Sequence, residues 1–228
     1  MPLDLHLGAV TTIHINRPAA ANAFTGAMWS ELIGLCRDIG ARPDVRVVVL
    51  SAEGKHFSSG ADTREFADVY AEPDSTQRYN ALYRDAVRAV AGLTMPVIAA
   101  VRGLAIGGGV ALATAADLRF CAAGAGFRVT ASKLGIAFSP DDSARLIALI
   151  GRARTKDMLL SARTIAADEA FRWGLADRVV PQEALCETVR AYAEDLAGKP
   201  AHSLACCKRI ADGLSAVPQE QAEPLWQV

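Results

Sequence analysis

The sequence predicts an α/β fold that closes with a helical C-terminal region, and three observations carry that reading. Apolar runs of strand length alternate with stretches of helical periodicity as far as residue 121. Two of those runs, residues 45–50 and 96–101, are nearly continuous and rich in valine, as expected of strands covered on both faces. After Pro140 only helical periodicity recurs. Parallel strands need crossovers that cover the sheet, so this alternation describes a layered unit of strands and helices.

In order along the chain, residues 10–16 alternate, with Ile13 and Ile15 on one face and Thr12, His14 and Asn16 on the other, which is the pattern of a half-buried strand. Thr25 is placed to cap a helix through Met28, Leu32, Leu35, Cys36 and Ile39 that Pro43 closes. Val45 and Val47 to Leu50 form a buried strand, and a polar loop runs from Ser51 to Asp62. A second helix follows through Tyr79, Leu82, Tyr83, Ala86, Val87 and Val90, ended by Pro96. Residues 96–101 form the next buried strand. A glycine-dense turn from Gly103 to Gly109 then runs into Val110–Ala113, and Leu118–Cys121 returns as a strand. Helical stretches follow near residues 143–150, 155–160, 167–173, 183–196 and 202–214.

With 228 residues, 51 % of them apolar and 21 % charged, the chain has material for one substantial core. The net charge is −1 and the basic residues are scattered, so nucleic acid is not the expected partner. The five cysteines do not read as a disulfide framework; four of them have apolar neighbours, as small buried residues do. No Cys or His pair has zinc-ligand spacing, and neither metal nor cofactor is expected. The N-terminus lacks a basic region followed by an apolar run, and no stretch approaches membrane-spanning length. The expected setting is therefore cytoplasmic, with no membrane partner.

Two turns carry the chemistry. Residues 57–62, Phe-Ser-Ser-Gly-Ala-Asp, follow one buried strand, and residues 103–109, Gly-Leu-Ala-Ile-Gly-Gly-Gly, follow the next. Gly107-Gly108-Gly109 lacks the spacing of a dinucleotide fingerprint, and no phosphate-loop Gly-Lys-Ser/Thr is present. A glycine turn entering a helix leaves unpaired N–H groups at the positive end of the helix dipole, which suits a developing oxyanion.

Taken with Asn16-Arg17-Pro18, Asn22-Ala23-Phe24, Pro96 to Gly103, Ala116-Asp117-Leu118-Arg119, Lys133 to Ile136, Ala167 to Ala170 and Gly174-Leu175-Ala176, these turns make the sequence resemble the crotonase superfamily, the enoyl-CoA hydratase/isomerase family. The resemblance implies a crotonase-like ββα spiral core over residues 1–195. It also implies a C-terminal helical segment for oligomerisation over 196–228, shortened relative to the family, and assembly as a homotrimer or hexamer. It implies an acyl-CoA thioester as ligand, with CoA part of the substrate and no separate cofactor. By position, the backbone N–H groups of Ala61 and Gly108 would form the oxyanion hole, and Ala20, Ser59, Asp62 and Gly107 would join them in binding substrate.

The chain departs from that family where the acids should be. The two glutamate positions of family hydratases hold Ala111 and Ala131, and a methyl group moves no proton. The nearest replacements are Asp141 and Asp142, although Ser139, Pro140 and two acids in a first turn also make an ordinary helix start. His56 is a minor candidate for proton transfer. Arg17 and Arg102 read either as phosphate contacts or as ties between turns, and Ala19 stands where family members often carry a lysine. Thr63, Arg64 and Glu65 read as pocket edge or as solvated positions. Three functions follow: an enzyme stabilising a thioester enolate, with isomerase chemistry ahead of hydration; a non-catalytic acyl-CoA carrier or sensor; and a scaffold subunit of a hetero-oligomer.

Overall fold

The computed structural model describes residues 2–214. The chain begins with β1 (Leu3–His6) and β2 (Val10–Ile15), an antiparallel pair in which Leu3 faces Ile15. Ile13 and Ile15 are buried on the face predicted for them, joined by Thr11. Thr25 caps α1 (Gly26–Gly40) by accepting from the Met28 N–H at 3.3 Å, and the helix buries Met28, Trp29, Leu32, Cys36 and Ile39. β3 (Val47–Ala52) lies parallel to β2. Then come α2 (Phe66–Val69), α3 (Pro73–Ala91) and β4 (Val97–Val101), which pairs parallel with β3.

The second half holds β5 (Leu104–Ile106), α4 (Gly108–Ala115), β6 (Leu118–Ala122), β7 (Gly126–Arg128), α5 (Ala131–Leu134) and α6 (Pro140–Ser161). It closes with β8 (Ile165–Ala166), α7 (Ala167–Trp173), β9 (Arg178–Val180), α8 (Leu185–Ala197) and α9 (Ala201–Leu214). Among the described residues a six-stranded sheet runs β1-β2-β3-β4-β6-β9, and a three-stranded sheet runs β5-β7-β8.

The valine-rich strands are buried on both sides because alternate residues feed two cores. Val48 and Leu50 join the core that α1, α3 and α4 build on one face; Val47 and Val49 join Ile98, Phe120, Leu185, Val189 and Ala193 under α8 on the other. This two-faced burial explains a run with no polar alternation.

Several expectations change in detail. The helical stretches near 143–150 and 155–160 belong to one run, α6, broken at Gly151, whose φ of 76° and ψ of 164° interrupt the helix. The boundary expected after residue 195 falls inside α8, because the face carrying Leu185, Val189 and Ala193 continues to Ala197. Of the cysteines only Cys36 and Cys121 are buried, their thiols pushed up to about 12 by burial; Cys186 and Cys207 are exposed. The latter two lie on helices, where neighbours in sequence point to different faces. The short strands β1, β5, β7, β8 and β9 carry too few residues for a periodic signal. The part of the C-terminal segment beyond Leu214 lies outside the described residues. No helix among the described residues is long and apolar enough to cross a membrane.

Candidate functional site

The first turn is held by polar groups that the sequence places close together. Asn22, fully buried and in the left-handed region with φ 56°, donates from its amide to the carbonyls of Glu53 (2.8 Å) and His56 (2.7 Å) and accepts from the Arg17 N–H at 2.9 Å. The Ser58 hydroxyl donates to the Asn22 carbonyl at 2.7 Å and accepts from the Gly60 N–H at 3.1 Å. Arg17 donates to the Ala23 carbonyl at 2.9 Å and to the Asp62 carboxylate at 2.8 Å. Arg64 donates to Asp62 as well, and these guanidinium groups, Arg64 foremost, hold that carboxyl well below the usual carboxylate range.

The second turn is laced to the first through backbone. The Ser58 N–H donates to the Leu104 carbonyl at 3.2 Å, and the Ile106 N–H donates to the Ser58 carbonyl at 2.8 Å. Gly107, at φ 52° and ψ −110°, then turns the chain into α4. The approach leaves no room for side chains: a Cβ on Gly60 would stand 2.5 Å from the Ile106 carbonyl oxygen and 2.7 Å from the Gly108 nitrogen. A Cβ on Gly108 would stand 3.4 Å from the Ala61 nitrogen. Gly108 opens α4, so its N–H has no helical carbonyl to bond, and Ala61 lies between the residues whose backbone pairs with Phe24. Neither N–H has an acceptor among the described residues.

These two N–H groups border a cavity of about 450 Å³. Ser59, Ala61, Gly107 and Gly108 form one wall, and Phe66, Tyr70, Tyr79 and Tyr83 bring aromatic rings to it. Ala131, Leu134, Ile136, Phe138 and Asp141 line it as well. Trp29 ties the aromatic wall together: its indole N–H donates to the Tyr79 hydroxyl at 3.3 Å, and its ring stacks on Phe24 and meets Tyr83 edge-on at 5.1 Å. Burial pushes the Tyr79 phenol up to about 12.

Comparison with known proteins adds the decisive observation. A family model described as enoyl-CoA hydratase/isomerase matches residues 6–223. The chain belongs to the enoyl-CoA hydratase/isomerase family. It is 34 % identical over 213 residues to a 4-chlorobenzoyl coenzyme A dehalogenase of an Arthrobacter species, covering 92 % of this chain and 77 % of that one. It is 34 % identical over 215 residues to a carnitinyl-CoA dehydratase of Citrobacter koseri, covering 94 % and 81 %. Among solved structures, an enoyl-CoA hydratase/isomerase family protein from Hyphomonas neptunium superposes with a TM-score of 0.95 at 34 % identity, over 100 % of this chain and 88 % of that one. An enoyl-CoA hydratase from Bacillus anthracis gives 0.94 at 30 % identity, over 100 % and 88 %. The crotonase-type fold expected from the motifs is thereby established.

Within this family member the sequence-derived site residues fall into two groups. Ser59, Ala61, Gly107, Gly108, Ala131 and Asp141 line the cavity, whereas Ala20, Asp62, Ala111 and Asp142 do not. Ala20 lies in a short turn whose carbonyl accepts from the Ala23 N–H, and Asp62 is spent on Arg17 and Arg64. Ala111 is fully buried in α4. Asp141 pairs with Arg88 of α3 at 2.7 Å. Asp142 is only 1 % exposed; it accepts from the Tyr83 hydroxyl at 2.6 Å and from Arg145 at 2.7 Å, and burial raises its carboxyl.

Both aspartates stand in the first turn of α6 behind Pro140, as the helix-start reading expects, while Ser139, at the N-cap position, makes no side-chain capping bond and hydrogen-bonds Asp142. His56 accepts the Leu104 N–H on Nδ1 at 3.1 Å, a structural link outside the cavity lining. Arg17 and Arg102 act as ties, Arg102 reaching the Gly54 carbonyl at 3.4 Å. Thr63 edges the cavity, while Glu65 accepts from the Gly26 N–H at the start of α1. Tyr83 is the residue that sequence reasoning missed. Its position on the apolar face of α3 hid a hydroxyl that needs a partner when buried, and that need was the available signal.

Proposed function

We propose that this protein processes an acyl-CoA thioester by stabilising its enolate between the N–H groups of Ala61 and Gly108. The observation that carries the reading is the pair of backbone donors that have no acceptor among the described residues, at the wall of one aromatic-lined cavity. An enolate or tetrahedral oxygen gains charge only as reaction proceeds, so fixed donors favour that state over the resting carbonyl. The α4 dipole, positive at Gly108, acts in the same direction.

Isomerisation or other enolate chemistry fits better than addition of water, because the two positions where family hydratases carry glutamates hold Ala111, buried in α4 away from the cavity lining, and Ala131, a methyl group on the cavity wall, and neither moves a proton. The carboxylates available at this end of the cavity are Asp141 on its wall and Asp142 behind Tyr83. The same two alanines favour a second reading, a carrier or sensor that holds acyl-CoA without turning it over.

Calorimetry tests the shared claim. Two hydrogen bonds worth about 0.5–1.5 kcal/mol each should make acyl-CoA bind about 5- to 150-fold more tightly than free CoA. Equal affinities would sink the carbonyl clamp. Turnover of enoyl- and 3-hydroxyacyl-CoAs separates enzyme from carrier, with hydration of crotonyl-CoA expected to stay near background.

A further inference from the structure

We propose that Tyr83 is the group that meets the acyl α-carbon and that Asp142 exchanges protons with the substrate through the Tyr83 hydroxyl. The inference rests on the enolate reading above and names its acid–base machinery.

Asp142 carries a carboxylate into a nearly dry site at the start of α6, with 1 % of its surface exposed. A buried ion costs several kcal/mol in desolvation, and an apolar residue there, facing a phenylalanine at position 83, would pack without that cost. The chain instead keeps a three-member polar line: Arg145 donates to one carboxylate oxygen at 2.7 Å, and Tyr83 donates to the other at 2.6 Å. Tyr83 is the member of that line that borders the cavity, and Ser139, also on the cavity wall, gives Asp142 a further side-chain hydrogen bond; neither Asp142 nor Arg145 is among the lining residues.

The Tyr83 ring also lies beside Gly108, which carries one of the two donors. The Tyr83 Cε2 atom is 3.3 Å from the point where a Cβ on Gly108 would stand, and Cε2 is bonded to the carbon that carries the hydroxyl. Trp29, edge-on to Tyr83 at 5.1 Å, fixes the ring in that place. A thioester with its oxygen at these N–H groups would therefore meet the Tyr83 ring at Gly108, and the hydroxyl one carbon along that ring is already hydrogen-bonded to a base.

The step balances within the chain and substrate. The α C–H bond breaks and its proton goes to Tyr83 Oη as the Tyr83 proton passes to Asp142. The electron pair becomes the enolate, its oxygen at the two N–H groups. Because Tyr83 gives a proton as it takes one, no phenolate forms, in keeping with a phenol that burial and the neighbouring carboxylate hold well above its ordinary value. Asp142, uncharged after transfer, returns the proton by the same path to the α- or the γ-carbon; delivery to the γ-carbon moves a double bond. Arg145 balances the carboxylate in the resting state.

The test is incorporation of deuterium from D2O into the α-position of butyryl-CoA, followed by NMR with the full chain, beside calorimetric binding of the same ligand. Tyr83→Phe and Asp142→Asn should each slow exchange by about 10²–10⁴-fold, with affinity for butyryl-CoA within about threefold. The double variant should be no slower than the worse single one, since both remove one relay. Independent structural effects would multiply instead, and that result overturns the proposal. Should Asp142→Asn not fold, Tyr83→Phe decides, because it preserves the ring and the Asp142–Arg145 pair. Exchange by Tyr83→Phe at the native rate sinks the relay alone; no exchange by the native chain, with no preference for acyl-CoA over CoA, sinks the enolate reading and the relay with it.

Discussion

Gly109→Ala probes how closely the two turns must approach. Gly109 is the second residue of α4, and a Cβ built there stands 2.4 Å from the Ser58 carbonyl oxygen and 3.1 Å from the Ser58 Cβ. A carbon and a carbonyl oxygen settle at about 3.3 Å at the closest, so the turns must part by about 0.9 Å. Overpacking of this kind costs about 1–3 kcal/mol, and the better helix propensity of alanine offsets about 0.8–1.0 kcal/mol of it. The net loss of stability is then about 0–2 kcal/mol, a fall in Tm of at most about 8 °C for a chain of this length. The effect on chemistry is larger. Ser58 is two residues from Gly60, whose carbonyl precedes the Ala61 N–H, so parting the turns separates Ala61 from Gly108. A misplacement near 1 Å can cost about 10²-fold in rate. The expected variant is folded, with a modest Tm decrease, α-proton exchange of butyryl-CoA slowed about 100-fold, and a reduced preference for acyl-CoA over CoA. A folded Gly109→Ala protein with the native exchange rate and preference would show that the spacing of these two donors does not matter, refuting the reasoning.

Three further outcomes are expected. Asp62, whose carboxyl is depressed in the folded state, contributes stability above its unfolded value of about 3.9 and loses it as pH falls through the folded value; Asp62→Asn should therefore be least stable relative to the native chain above about pH 4, and the gap should close in acid. A gap in unfolding free energy that stays constant with pH would be inconsistent with the Arg17–Asp62–Arg64 cluster. Ala131→Glu places a carboxyl on the cavity wall and should fold, whereas Ala111→Glu forces an unpaired carboxyl into a fully buried site and should lose several kcal/mol or fail to fold; thermal melts of the two compare them directly. Sedimentation should show a trimer or hexamer, and a monomer across micromolar concentrations would count against assembly through the C-terminal helices.

Much of the architecture was legible because its signals are local. The β-branched strands, the Thr25 cap, the proline stops and the two glycine turns each declare a backbone state within a few residues, and their order brought the family into view. The strict need for glycine at Gly60 and Gly109 was present in the sequence as composition, and the structure supplies its cause in the approach of one turn to the other.

The candidate acid–base groups were legible only in part. Asp141 and Asp142 are adjacent in sequence and chemically alike, yet α6 turns one to the cavity wall beside Arg88 and the other into a buried contact with Tyr83. Successive residues on a helix point about 100° apart, so their fates depend on what packs against each face. The sequence by itself determined the layered α/β fold and the two glycine turns that carry the Ala61 and Gly108 N–H groups, since local backbone preference and hydrophobic periodicity suffice for both. Only the tertiary structure decided which aspartate meets the cavity directly and that a tyrosine 59 residues away in sequence connects the other to it, because burial and hydrogen-bond pairing between distant segments exist only once the helices have packed.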